Sequence, residues 1–389
     1  MNIKTLEMNS KIFSKVKSDF TLPDKTYLNS ASQTIIPNQV KDSYLDVCNK
    51  IDARDEYEFV RQKVKLLINS KKDNEIIFTQ GNNHGINMIA KSICHKWHSN
   101  DCVIVPESEH HANLLIWQYM AIEYGFRFET VNVIKDGSMD LGHLEDLLDS
   151  CDGKILFSMS HISNSIGYVQ PVKSIFDKVK EYDGITLLDA SLSIGREKID
   201  VQEFNIDFLT FTGHKFYGPT GVGMLYGKQK YLDKLEPTIL GDNNSTLLPW
   251  KLEIGKPNIA GVVMLGAAID WFTSYDLESF ETYDKLMNAN FQMMLNELDF
   301  IEIFHPGYYK GGLIGFNVHG HHPAYVGEFL LNEGIVLKYG HLNARPIVEE
   351  KFPNGILRLS WACYNTKDDV EHLKQGLVKF YDKYNSKRT

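Results

Sequence analysis

The chain has 389 residues, 43% of them hydrophobic and 23% charged, enough to bury a large core in two lobes and too apolar for a disordered chain. Its net charge of −9 and pI near 5.9 count against a nucleic acid or an anionic membrane as partner, since both select a basic face. No apolar run approaches the roughly eighteen residues of a membrane span, the first ten residues lack the apolar core of a signal peptide, and five scattered cysteines without a close pair argue against disulfides and zinc, so a cytoplasmic protein acting on a small molecule is expected.

From about residue 75 to 230, short apolar runs alternate with helical patterns. The runs at 75–79, 102–106, 154–158, 186–189 and 208–211 read as strands, and their alternation with helices predicts βαβ units and a mostly parallel sheet. Directly after the first run comes Gly-Asn-Asn-His-Gly-Ile-Asn at 81–87, a glycine turn opening a helix, whose free N–H groups and positive dipole end suit a phosphate. The run at 184–189 ends on Asp189, which a buried parallel strand would deliver at its C-terminal edge, where open α/β sheets bind ligands.

Some two dozen residues later, Phe-Thr-Gly-His-Lys-Phe-Tyr-Gly at 211–218 sets Lys215 between a small polar cluster and a run of glycines. A strand-end carboxylate followed by such a lysine is the arrangement pyridoxal phosphate needs: the amine forms a Schiff base with the cofactor aldehyde, and the carboxylate pairs with the pyridinium nitrogen. Near residue 265 a helix at 262–271 leads into a charged helical stretch and then into short strands at 312–318 and 356–360. The expected division is an N-terminal segment, 1–25, packing on the small lobe, a large cofactor-binding domain, 26–265, and a small C-terminal α+β domain, 266–389.

With these residues in place the chain resembles class V of the fold-type I pyridoxal-phosphate enzymes. The resemblance runs from Tyr-Leu-Asn-Ser-Ala at 27–31 to Arg-Leu-Ser-Trp-Ala-Cys-Tyr-Asn-Thr at 358–366, and is strongest to the group II cysteine desulfurases, with aminotransferases and epimerases on the same frame. It implies a mostly parallel seven-stranded sheet between helices and a homodimer with shared active sites. It further implies that Asn82 and Asn83, standing where the family has threonines, contact the phosphate together with Thr212 and His214. The first histidine of Glu-His-His-Ala-Asn at 109–113, His110, would stack on the cofactor ring, and Asn164 would donate to its phenolic oxygen. Lys256, in Glu-Ile-Gly-Lys-Pro-Asn at 253–258, would reach the phosphate in the neighbouring subunit. Arg358 would bind the substrate carboxylate, for which a guanidinium fork offers two parallel hydrogen bonds.

Two departures from the desulfurase pattern steer the expected activity. Leu192 replaces a glutamine that would reach the phenolic oxygen, and Asn343, in Lys-Tyr-Gly-His-Leu-Asn-Ala-Arg at 338–345, replaces the cysteine that takes up sulfur. An amide cannot become a persulfide, so ordinary cysteine desulfuration is disfavoured. The expectation is an aminotransferase acting on a small anionic amino donor and a keto acceptor, with Lys215 as the base on the α-proton, Asn343 at the substrate, and the basic trio Lys338, His341 and Arg345 of the same loop facing a second anionic group on it. A C–S or β-lyase, an epimerase and a non-catalytic pyridoxal-phosphate-binding relative are the alternatives.

Overall fold

The computed structural model describes residues 16–239, 246–307 and 309–385, the last without its side chain. Thirteen strands lie in three sheets among the described residues. The first, β1 (Thr26–Tyr27), is followed by the strands of the large sheet: β2 (Ile76–Thr79), β3 (Cys102–Pro106), β4 (Arg127–Val131), β5 (Ile155–Ser160), β6 (Ile185–Asp189), β7 (Phe208–Thr212) and β8 (Gly223–Gly227). Then come β9 (Ile301–Ile303), β10 (Leu313–Val318), β11 (Ile335–Val336), β12 (Lys338–Gly340) and β13 (Ile356–Ser360).

The large sheet has seven strands in the order β2-β8-β7-β6-β5-β3-β4, and β8 alone runs against the others. This is the mixed α/β, mainly parallel architecture expected of fold-type I enzymes. Successive strand residues point to opposite faces, and both faces are buried. Ile76, Phe78, Ile104, Phe157, Leu209 and Phe211 join one apolar cluster with Val60 and Val64 of the helix Arg54–Ile68 and Leu265 of the helix Ile259–Thr273. Their neighbours Ile77, Val103, Val105, Leu156, Leu187 and Phe208 join another with Ile86 and Ile89 of the helix Asn82–Cys94 and with Trp117. Burial on both sides explains why these strands read in the sequence as continuous apolar runs.

The second sheet is antiparallel, β12-β13-β10-β9, and is backed by Phe291 and Leu295 of the helix Leu277–Asn296 and by Leu373, Leu377 and Phe380 of the C-terminal helix. β1 pairs in parallel with β11 beside this sheet. Of the N-terminal segment, residues 1–15 lie outside the described residues, while Phe20 packs edge-on against Trp271 and Tyr364. A buried ion pair joins the two parts of the chain: Arg196, after β6, pairs with Asp284, which also accepts from Trp361 Nε1 at 2.9 Å.

Candidate active site

Parallel strands end on one edge, and there Ser160, Asp189 and Thr212, the last residues of β5, β6 and β7, line one cavity of about 530 Å³. Lys215 reaches it from a single 3₁₀ turn, Gly213–Lys215, pinned by Gly213 N to Val222 O and Gly218 N to Gly213 O. The helix Asn82–Cys94 opens onto the same space. Its cap, Gly81, has φ +145, a conformation side-chain-bearing residues rarely adopt, and Gly223 of β8 lies so close beneath that a Cβ there would come within 2.6 Å of Gly81 Cα. From the other sheet come Arg358 on β13 and Lys338 on β12, paired across the strands in direct register. Asn164, His110, His214, Asn83, Leu192, Leu342 and Asn343 complete most of the wall.

Three cations and one carboxylate face each other across this cavity. Lys215 makes no hydrogen bond among the described residues, and burial lowers its pKa to about 8 against the upward pull of Asp189, with Arg358 adding to the lowering. Asp189 accepts from Ser191 N at 2.8 Å on one oxygen and from Asn82 Nδ2 at 2.8 Å on the other. Arg358 is 4% exposed and has no acidic partner among the described residues. Its two terminal nitrogens donate to Asn164 O at 2.9 Å and Ser32 Oγ at 2.8 Å, and its Nε is buried without a partner. Burial without a counter-charge lowers its pKa to about 10.

The histidines are held neutral. Burial, helped by the Lys215 charge, pushes both His110 and His214 down to about 4. His110 Nδ1 accepts from Ala112 N at 3.0 Å, which puts its ring proton on Nε2, and His214 Nδ1 shares a 2.9 Å hydrogen bond with Thr212 Oγ1. The loop carrying Asn343 is tied to this segment. His111 N donates to Asn343 O at 2.7 Å, Arg345 N donates to His111 Nε2 at 3.3 Å, and Asn164 Nδ2 donates to Leu342 O at 2.6 Å.

Not every expected residue sits as the sequence suggested. The side chain of Asn82 is turned away from a phosphate contact: besides donating to Asp189 it accepts from the Thr210 hydroxyl. His341 lies outside the cavity, bonded through Nε2 to Pro353 O at 3.0 Å, and Arg345 is paired with Glu349, so Lys338 is the one member of that basic trio lining the wall. Lys256 is exposed and outside its own chain's cavity, on a segment anchored by Glu253, which accepts from Arg61, Tyr57 OH and Phe78 N. Sequence reasoning passed over Ser32, Ser160 and Ser191. Each follows a recognised run or motif by one or two residues, and nothing in a serine's neighbours announces that it will meet a guanidinium or a carboxylate. It also passed over Glu109, whose carboxyl, lifted to about 7 by burial, accepts from Ser160 N and Oγ and fixes the end of β5.

The residues present fit pyridoxal phosphate. A lysine with a lowered pKa and no hydrogen bond, a strand-end carboxylate opposite it and an open helix N-terminus are the parts it requires. The buried Ser191 Oγ, Asn164 Oδ1 and Arg358 Nε, all without partners, are polar atoms in need of a bound group.

A family model described as aminotransferase class-V matches residues 27–373. The cysteine desulfurase of Serratia proteamaculans is 33% identical over 94% of this chain and 97% of its own length, and the probable cysteine desulfurase of Halalkalibacterium halodurans is 34% identical over 84% and 82%. Among solved structures, the cysteine desulfurase CsdA of Escherichia coli superposes with a TM-score of 0.88 at 28% identity, covering 94% of this chain and 98% of that one. The apo cysteine desulfurase of Thermococcus onnurineus superposes with a TM-score of 0.89 at 27% identity, covering 94% and 97%. These likenesses overturn the expected aminotransferase, and the lyase and epimerase alternatives fit no better. That expectation leaned on two positions, Leu192 and Asn343, against a similarity to desulfurases that extends over nearly the whole chain.

Proposed function

The chain belongs to the class-V aminotransferase family, and we propose that within it the protein is an enzyme of the cysteine desulfurase kind, removing sulfur from cysteine or a close analogue and passing it to a thiol that is not its own. Its cofactor is pyridoxal phosphate. The observation that carries the reading is a cavity with the lysine, carboxylate and unpaired arginine of this chemistry and, among the described residues, no cysteine in its wall.

In this reading Lys215 would hold the cofactor, Asp189 would pair with its ring nitrogen, and the N-terminus of the helix Asn82–Cys94 would hold its phosphate with Thr212, His214 and Asn83. The bound cofactor supplies an electron-accepting ring that makes bonds next to the substrate α-carbon labile. Arg358 takes the substrate carboxylate, replacing the counter-charge it lacks. Lys215, with a pKa near 8, is partly unprotonated at neutral pH and can take up the α-proton and give it back. Neutral His110 presents Nε2–H to the reacting end of the substrate, and Lys338 offers a cation to its sulfur.

The sulfur step balances only with an acceptor. The Cβ–S bond breaks with its electron pair left on carbon, where a proton completes the methyl group of alanine. Sulfur passes at the zero oxidation level to a thiolate, giving a persulfide, so cysteine and a thiol become alanine and a persulfide. This chain offers no thiol for that role. Cys94, Cys102 and Cys363 are buried with their thiols pushed up to about 12, and neither Cys48 nor Cys151 lines the cavity. Asn343 stands exposed at the rim in place of the cysteine, which leaves the mouth open to a thiol from outside. Five unpaired cysteines suit a reducing, cytoplasmic setting. We place Lys256 in the site of a second subunit, as an exposed cation without an ion pair among the described residues.

The test is to supply holoprotein with cysteine and to measure alanine, sulfide, pyruvate and ammonia with increasing dithiothreitol. Alanine and sulfide should form in equal amounts, at a rate that rises with added thiol at fixed cysteine. Pyruvate and ammonia in place of alanine, or alanine formation indifferent to thiol, would overturn the proposal.

A further inference from the structure

Asn82 was expected at the phosphate, yet both atoms of its amide are already committed elsewhere. It is the first residue of its helix, 9% exposed, and its Nδ2 donates to Asp189 Oδ2 at 2.8 Å while its Oδ1 accepts from Thr210 Oγ1. The direction of the amide is fixed by chemistry: an ionised carboxylate can only accept, so the NH₂ end must face Asp189, and the rotatable Thr210 hydroxyl donates to the other end. The approach that makes this possible is built into the helix. Gly85, one turn on, sits so close to β7 that an added Cβ would lie 2.7 Å from Thr210 Cγ2. Thr210 is in turn the registered neighbour of Asp189 across β6 and β7. With Ser191 N on the other oxygen, the Asp189 carboxylate is held at both ends.

We propose that Asn82 is a positioning residue for the cofactor, acting through Asp189 rather than on the phosphate. A carboxylate held by two donors keeps one orientation, which is what a partner to a pyridinium N–H requires. The helix that presents its N-terminus to the phosphate thus also sets, through the same first residue, the group that holds the ring. The inference rests on pyridoxal phosphate lying between Lys215 and Asp189 and is independent of the sulfur chemistry that follows.

The experiment measures the affinity for pyridoxal phosphate and the pH titration of its visible absorption band in the wild type, Asn82→Ala, Asn82→Asp and, as a control, Asn83→Ala. Asn82→Ala should weaken cofactor binding about tenfold, the worth of a hydrogen bond to a charged group, and should shift the titration of the band. Asn82→Asp keeps the shape but sets two carboxyls face to face. Its binding should be weak near about pH 8 and recover toward about pH 5.5, where one carboxyl holds a proton and donates to the other. Asn83→Ala, which would lose a phosphate contact and leave Asp189 untouched, should weaken binding without moving the band's titration. Unchanged affinity and titration in both Asn82 variants would overturn the inference, as would a loss in Asn82→Asp that does not depend on pH. A wild type that binds no pyridoxal phosphate would instead remove the cofactor placement on which it rests.

Discussion

Lys215 and Arg358 share a cavity whose wall holds a single carboxylate, and the chain accepts the cost of burying both. For Lys215 the cost appears as a dependence of stability on pH. The unfolded chain keeps this proton to about pH 10.4, whereas the folded protein releases it near about 8, so between those values the unfolded state binds more protons and the apoprotein gains stability as pH rises. Below about pH 8 the full penalty stands, on the order of 3 kcal/mol. Lys215→Met should therefore raise the melting temperature of the apoprotein at neutral pH, and the gap should narrow as pH climbs toward about 10. An apoprotein that melts at the same temperature with either residue at neutral pH would contradict the burial that lowers this pKa. Lys215 and Asp189 were legible in the sequence because Asp189 ends one apolar strand and Lys215 stands three residues past another, where position alone aims a side chain at the ligand edge. Asn82 was not. Two adjacent asparagines look equally suited to a phosphate, and the turn of one toward Asp189 depends on a partner 107 residues away.

Among elements, the parallel strands were read nearly to their ends, since burial on both faces leaves an unbroken apolar run. β4 was missed because it lies at the edge of the sheet with four of its five residues only partly buried, and β8 because glycines at both ends hide its pattern. The loop after β12 was located but not shaped. Leu342 and Asn343 both take left-handed backbone, with φ of 56 and 55, and the carbonyls of both are held by the walls of the cavity, so Asn343 is aimed at the mouth by its backbone rather than by its side chain. A cysteine placed there inherits that aim at a backbone cost of about 1 kcal/mol, small beside the stability of a domain. Asn343→Cys should thus retain a sulfur atom from cysteine, seen as a single added sulfur by mass spectrometry, and should form one equivalent of alanine without an added thiol. A variant that binds cysteine yet holds no sulfur would mean that the acceptor position lies elsewhere in the cavity.

Over the whole molecule the question is whether one chain completes one site. Glu253, its side chain buried against Arg61, Tyr57 and the β2 backbone, anchors the start of the segment at 253–258, while Gly255 takes φ +84 and Lys256 is exposed, outside its own chain's cavity. An exposed cation on an anchored segment, outside its own chain's cavity and without an ion pair among the described residues, makes sense against a second copy, and the proposed homodimer can be tested without a structure of it. Lys215→Ala and Lys256→Glu should each abolish turnover alone. If Lys256 serves the neighbour, a mixed dimer has one site lacking both groups and one site with neither defect. Random pairing of equal amounts makes half the dimers mixed, each with one of two sites intact, so co-expression should restore about one quarter of wild-type activity. If Lys256 served its own chain, each subunit of the mixed dimer would carry one defect in its own site, and mixing would restore nothing.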